Sequence, residues 1–103
     1  MFYIKSNIKL TDVNRKNPLQ GSTCRPLLFF SNGLIRTGLI IISPDETLDM
    51  TGIYHDRLIG IHFYKDINPF NDFVEGTGFD MREGSLLIGT GIVTECLGED
   101  YPT

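Results

Sequence analysis

The chain has no tryptophan, only two cysteines, and no apolar run of the length that crosses a bilayer as a helix. Each shortage narrows the field. A membrane helix needs about 20 consecutive apolar residues, and the residues behind Met1 lack the apolar core of a secretory signal, so the expectation is a cytoplasmic protein with no membrane association. Cys24 and Cys96 are too few and too far apart in sequence for a metal site or a disulfide framework. They are expected as buried free thiols on strands, as suits a reducing compartment. Cations are also scarce, with nine basic residues against thirteen acidic ones and a net charge of −4. That balance repels nucleic acid at long range and weakens the electrostatic term that dominates its binding. Arg15-Lys16 is the only adjacent basic pair, and it reads as a solvated turn.

What is present is ordinary globular composition, 41% hydrophobic and 21% charged over 103 residues. Such a chain fits one domain, residues 1–103, with a core that needs no staples. The period of its apolar residues is two. Phe2, Ile4, Ile8 and Leu10 fall on one face of an opening strand. The stretch from Asp12 to Gln20 has turn composition and reads as a loop. A second strand covers Arg25 to Phe30, with Pro26 confined to its start because proline cannot donate to an interior ladder.

Ser31-Asn32-Gly33 then carries a hairpin signal, after which Leu34 to Ile42 runs back as a β-branched strand. Ser43-Pro44-Asp45-Glu46 stops it. The residues up to Asp56 are weakly patterned. From Arg57 to Asp66 alternation returns, with Ile59, Ile61 and Phe63 on one face. Asn68 to Asp72 reads as a turn, and the last strand runs from Leu86 to Leu97 with Gly89 and Gly91 on the same face, where backbones can approach closely. No helical stripe, repeat or linker interrupts this. An all-β barrel or sandwich of about six strands follows.

The segment Phe79-Asp80-Met81-Arg82-Glu83-Gly84-Ser85-Leu86-Leu87-Ile88-Gly89-Thr90-Gly91 resembles F-A-I-R-E-G-G-R-T-V-G-A-G at the end of the third domain of elongation factor Tu. Thr23-Cys24-Arg25-Pro26-Leu27-Leu28-Phe29-Phe30 is similar to the family's G-Y-R-P-Q-F-Y-F strand, and Arg36-Thr37-Gly38-Leu39-Ile40 to its V-T-G-T-I. The order and approximate spacing of these pieces agree over nearly the whole chain. The resemblance implies a closed six-stranded antiparallel β-barrel. It also implies that Arg82, Glu83 and Gly84 match a turn that in the family touches the T-stem of aminoacyl-tRNA. The chain departs from the family where Ser85-Leu86 replaces the Gly-Arg after that turn and Leu27 replaces the Gln of the second strand. The family's P-G-D turn is most nearly His55-Asp56-Arg57 here, and its I-H-P is Ile67-Asn68-Pro69.

No catalytic, cofactor or metal residue is singled out. A GTPase needs a glycine-rich phosphate cradle ending in Gly-Lys-Ser/Thr; no such segment exists, and Gly76-Thr77-Gly78 reads as a loosened approach to a strand. His55 and His62, expected on a loop and a strand, have no spacing that makes them converge on a metal. Ser22, Cys24 and His62 supply residue types for nucleophilic catalysis without a spacing that selects a set. The expected function is therefore a non-catalytic protein-binding module with a translation-factor-like surface. Its most concrete form is an immunity or decoy protein that inhibits a toxin. The alternatives are a tRNA-binding module acting through Arg82-Glu83-Gly84, and a domain that partners a separately encoded translation GTPase.

Overall fold

The computed structural model describes residues 1–11, 19–21, 24–62 and 69–99. Their strands are β1 (Phe2–Leu10), β2 (Leu19–Gln20), β3 (Leu27–Phe30), β4 (Ile35–Ile40), β5 (Thr47–Leu48), β6 (Ile53–Ile61), β7 (Gly78–Glu83) and β8 (Leu86–Gly98), with one helical turn, α1 (Pro69–Asp72), before β7. Six of these strands close into an antiparallel barrel in the order β1-β6-β4-β3-β7-β8, and β2 pairs with β5 beside it. Closure means that each barrel strand has a partner on both sides, which removes the unpaired edges that an open sheet exposes.

Alternation builds the barrel wall. In β1 the side chains of Phe2, Ile4, Ser6, Ile8 and Leu10 are buried while the intervening residues reach outward. Opposite them, Ile59 and Ile61 of β6 and Ile88 and Val93 of β8 fill the interior. An aromatic chain joins Phe2, Phe73, Phe30 and Phe79, with successive ring centroids 6.2, 4.7 and 5.4 Å apart. Phe73, which directly follows α1, is fully buried in that chain. Burying a ring of this size stabilises by about 2 kcal/mol, which fixes the helical turn despite its shortness.

Two hairpins use glycine where the backbone needs a positive φ. Between β3 and β4 the three-residue loop Ser31-Asn32-Gly33 places Gly33 at φ 92°, and the Gly33 N–H donates to the Phe30 carbonyl at 2.9 Å. Asn32 accepts from the Leu34 N–H at 3.1 Å and donates from Nδ2 to the Asp72 carbonyl at 2.6 Å, tying the hairpin to α1. Between β7 and β8, Gly84 at φ 61° takes the first central position of a two-residue turn, as a type II′ connection requires.

The observed strands differ from the expected ones in instructive places. β6 begins at Ile53, ahead of Arg57, because Lys9 and Ile8 of β1 pair with Ile53 and Tyr54. A bulge lies between these pairs and Ser6–Arg57, so the alternation changes phase there and no single period-two pattern spans the strand. Within the bulge Asp56 sits at φ 53°, and its N–H donates to Asn7 Oδ1 at 3.0 Å. His55, Asp56 and Arg57 are thus inside a strand, not in the turn that the family comparison suggests. The strands β2 and β5 are too short to leave an alternation signal, yet their paired residues Leu19 and Leu48 are both buried in the core. Pro69–Asp72 is helical where a plain turn is expected, with proline at the helix start, which tolerates its missing N–H. The loop residues 12–18, the expected strand residues 63–66 and Asn68 lie outside the described residues. No helix among the described residues is long and apolar enough to cross a membrane.

Candidate recognition surface

Arg82 lies on β7 with its Cα paired to Leu27 of β3 on one side and Leu87 of β8 on the other. Pairing of this kind puts all three side chains in one cross-strand row. The guanidinium rests over the Phe29 ring, 5.5 Å from its centroid, and Nη2 lies 3.8 Å from Asp80 Oδ2. Cation–π contact and the carboxylate together hold the side chain against the wall and offset its charge. Glu83, the next residue, accepts a hydrogen bond from the Cys24 thiol at 3.7 Å. Gly84 shapes the turn. The three residues therefore divide their tasks, and only Arg82 presents a large outward group.

Around Arg82 the wall is unusually apolar for an outer face. Leu27, Leu87 and Ile35 are exposed, and Leu86 at the turn is 50% exposed. Leu27 and Leu86 occupy the positions where the chain departs from the resemblance, so both changes put an aliphatic group on the surface.

A second outward feature adjoins this face and was not visible in the sequence. An open cavity of about 770 Å³ runs across the strands over the row Ile8–Gly91–Phe79–Phe30. The side chains of that row point inward or are absent, so their backbone forms the floor. One wall is the outward row Lys9–Thr90–Asp80–Phe29, and the other contains Asn7, Ile92 and Gly78. Ile53 and Ile92, 63% and 53% exposed, stand at the β1 end. No sequence signal marked this groove, since a single exposed apolar residue is unremarkable until its neighbours are known.

Other candidates are placed differently. Cys24 is buried, with its thiol turned to Glu83. Burial pushes the half-buried Cys96 thiol up to about 11, so it is protonated at neutral pH. His55 is exposed within β6 and His62 follows its end. Among the described residues no three His, Cys, Asp or Glu side chains group as a metal site. Ser22, Arg15 and Lys16 lie outside the described residues, while Arg25 is exposed ahead of β3. In comparison with known proteins, no family model matches the chain and no curated protein is similar to it.

Proposed function

We propose that this barrel is a non-catalytic protein-binding module with a translation-factor-like surface centred on Arg82. The row Leu27–Arg82–Leu87 carries the reading, because an arginine held on an aromatic ring is a typical interface anchor and the exposed leucines beside it are apolar area that a partner would bury. Asp80 supports it further. A guanidinium already beside a carboxylate contributes little to phosphate binding, whereas a protein surface can cover the pair and the leucines together.

The similarity of residues 79–91 to the third domain of elongation factor Tu favours a partner that recognises a translation factor. The most concrete form is an immunity or decoy protein that inhibits a toxin. Affinity capture from extract of the source organism tests the face directly, using the wild type beside Arg82→Ala, Leu86→Asp and a remote control, Glu99→Ala. A partner retained by wild type and Glu99→Ala and lost by the other two is the expected result. Equal retention by the wild type and all three variants would exclude this face. Co-expression of the captured partner should then arrest growth, with wild type restoring it and Leu86→Asp failing to.

A further inference from the structure

The transverse groove has features that the Arg82 face does not need. Its cavity is lined mainly by apolar groups, and its two isoleucines leave more than half of their surface in water. At its β1 end stand two polar groups on the same outward face of one strand. The Lys9 ammonium makes no ion pair or hydrogen bond with a described residue. Asn7 spends its Oδ1 on the Asp56 N–H at 3.0 Å, a bond set by the bulge in which Asp56 adopts φ 53°. That bond aims the amide so that the Nδ2 hydrogens remain as donors. A strained residue that orients a donor beside an apolar cavity is a feature worth reading as functional. At the other end Asp80 lies 3.8 Å from Arg82, which leaves Lys9 as the charged group of the lining without an ion pair among the described residues.

We infer that this groove binds an amphipathic monocarboxylic acid, with the acyl or aryl body across the strands and the carboxylate between Lys9 and Asn7. Charge selects an anion, since Lys9 and the Asn7 amide both donate. The floor selects against a polypeptide. Its backbone groups are engaged in the barrel ladder, and closure leaves no edge to accept an added strand. A peptide lying here would need partners for an N–H and a C=O at each residue, whereas a hydrocarbon body needs none. Four strands at about 4.8 Å spacing give a floor roughly 14 Å across, enough for a medium-length chain.

The glycine at position 78 provides a clean test. A Cβ there would meet only the Gly91 carbonyl oxygen, at 3.8 Å, which is ordinary contact. Gly78→Val therefore narrows the groove without disturbing the wall. Calorimetric titration with decanoate, below its micellar range, should show saturable one-site binding to the wild type. Lys9→Met keeps the aliphatic stem and should weaken binding by about tenfold, the scale of one charge-assisted hydrogen bond. Gly78→Val should abolish binding at an unchanged melting temperature. Ile92→Asp, an exposed change beside Asn7, should do the same by repulsion if the valine variant folds poorly. No saturable binding of decanoate, equal affinity for decanol, or variants that bind as wild type would overturn the assignment. Tighter binding of an acetylated tripeptide ending in leucine would overturn the free-acid source. None of these outcomes depends on the partner of the Arg82 face.

Discussion

Arg57 and Glu46 are joined by two parallel hydrogen bonds of 2.8 and 2.6 Å, a guanidinium on β6 gripping a carboxylate in the turn after β4. The same guanidinium donates to the Ile41 carbonyl at 3.1 Å, and Glu46 accepts from the Ser43 N–H at 3.1 Å. One bidentate pair thus holds the segment from residue 41 to 46 against the barrel.

Arg57, with help from the Ser43 N–H, holds the Glu46 carboxyl down from 4.5 to about 2. The native state therefore favours the ionised form, and its stabilisation is complete above pH 4.5 and lost as pH falls toward 2. A fully buried shift of this size would correspond to about 3 kcal/mol, but a side chain one-third exposed is screened and about 1 kcal/mol remains. Denaturant midpoints should fall across that window for the wild type and less for Glu46→Gln. Parallel curves for the two proteins would remove the pair from the acid response.

Gly89 and Gly91 should be intolerant of side chains for different reasons. A Cβ at Gly89 would lie 2.5 Å from the Lys9 carbonyl oxygen and 2.8 Å from the Met81 methyl, and one at Gly91 would collide with the Phe79 ring. Backbone yields less readily than a ring, so Gly89→Val should cost the more of the two, with both in or above the range of about 1 to 3 kcal/mol for overpacking. Glu99→Ala should stay near wild type. Melting temperatures within a degree or two of wild type for both valine variants would contradict the close approach.

Ser6 occupies an inward position of β1 between Ile4 and Ile8, and its Oγ has no hydrogen-bond partner among the described residues. Desolvating a hydroxyl without a partner costs about 1 to 3 kcal/mol. Ser6→Ala should therefore melt at or above the wild-type temperature. A fall of several degrees would mean that the hydroxyl is satisfied in solution.

Binding of tRNA should be negligible at about 0.15 M salt. Affinity for nucleic acid scales with the phosphates neutralised, and Arg82 is beside Asp80 in a chain of net charge −4. Fluorescence titration with labelled tRNA should give no saturation in the micromolar range. Tight binding abolished by Arg82→Ala would place RNA ahead of a protein partner.

β1 was legible because it keeps one face inward throughout, and β7 and β8 because the turn glycine marks their reversal, although bulges against β7 and β1 break the alternation of β8. The start of β6 was not, because the bulge at Asp56 changes which parity faces inward and Ile53 and Tyr54 then look patternless. β2 and β5 are defined by pairing across the chain, which no local window contains. Arg82, Glu83 and Gly84 were singled out by the family resemblance alone, and the stacking of Arg82 on Phe29 and its proximity to Asp80 depend on strand register. The groove was illegible for the same reason. Lys9, Asn7 and Ile92 become neighbours only when β1 and β8 lie side by side.

That seam between β1 and β8 also sets a condition on synthesis. The barrel's most N-terminal strand, Phe2–Leu10, finds one of its two neighbours in its most C-terminal one, with Tyr3 opposite Gly98. Contacts of such sequence separation form slowly because a long loop must close first. A released chain that lacks residues 86–98 keeps every other barrel strand but leaves one side of β1 and one side of β7 open, two sticky flanks that the closed barrel does not show. Loss of the C-terminal strand therefore uncovers two edges at once, which is where aggregation of a truncated chain is expected to start.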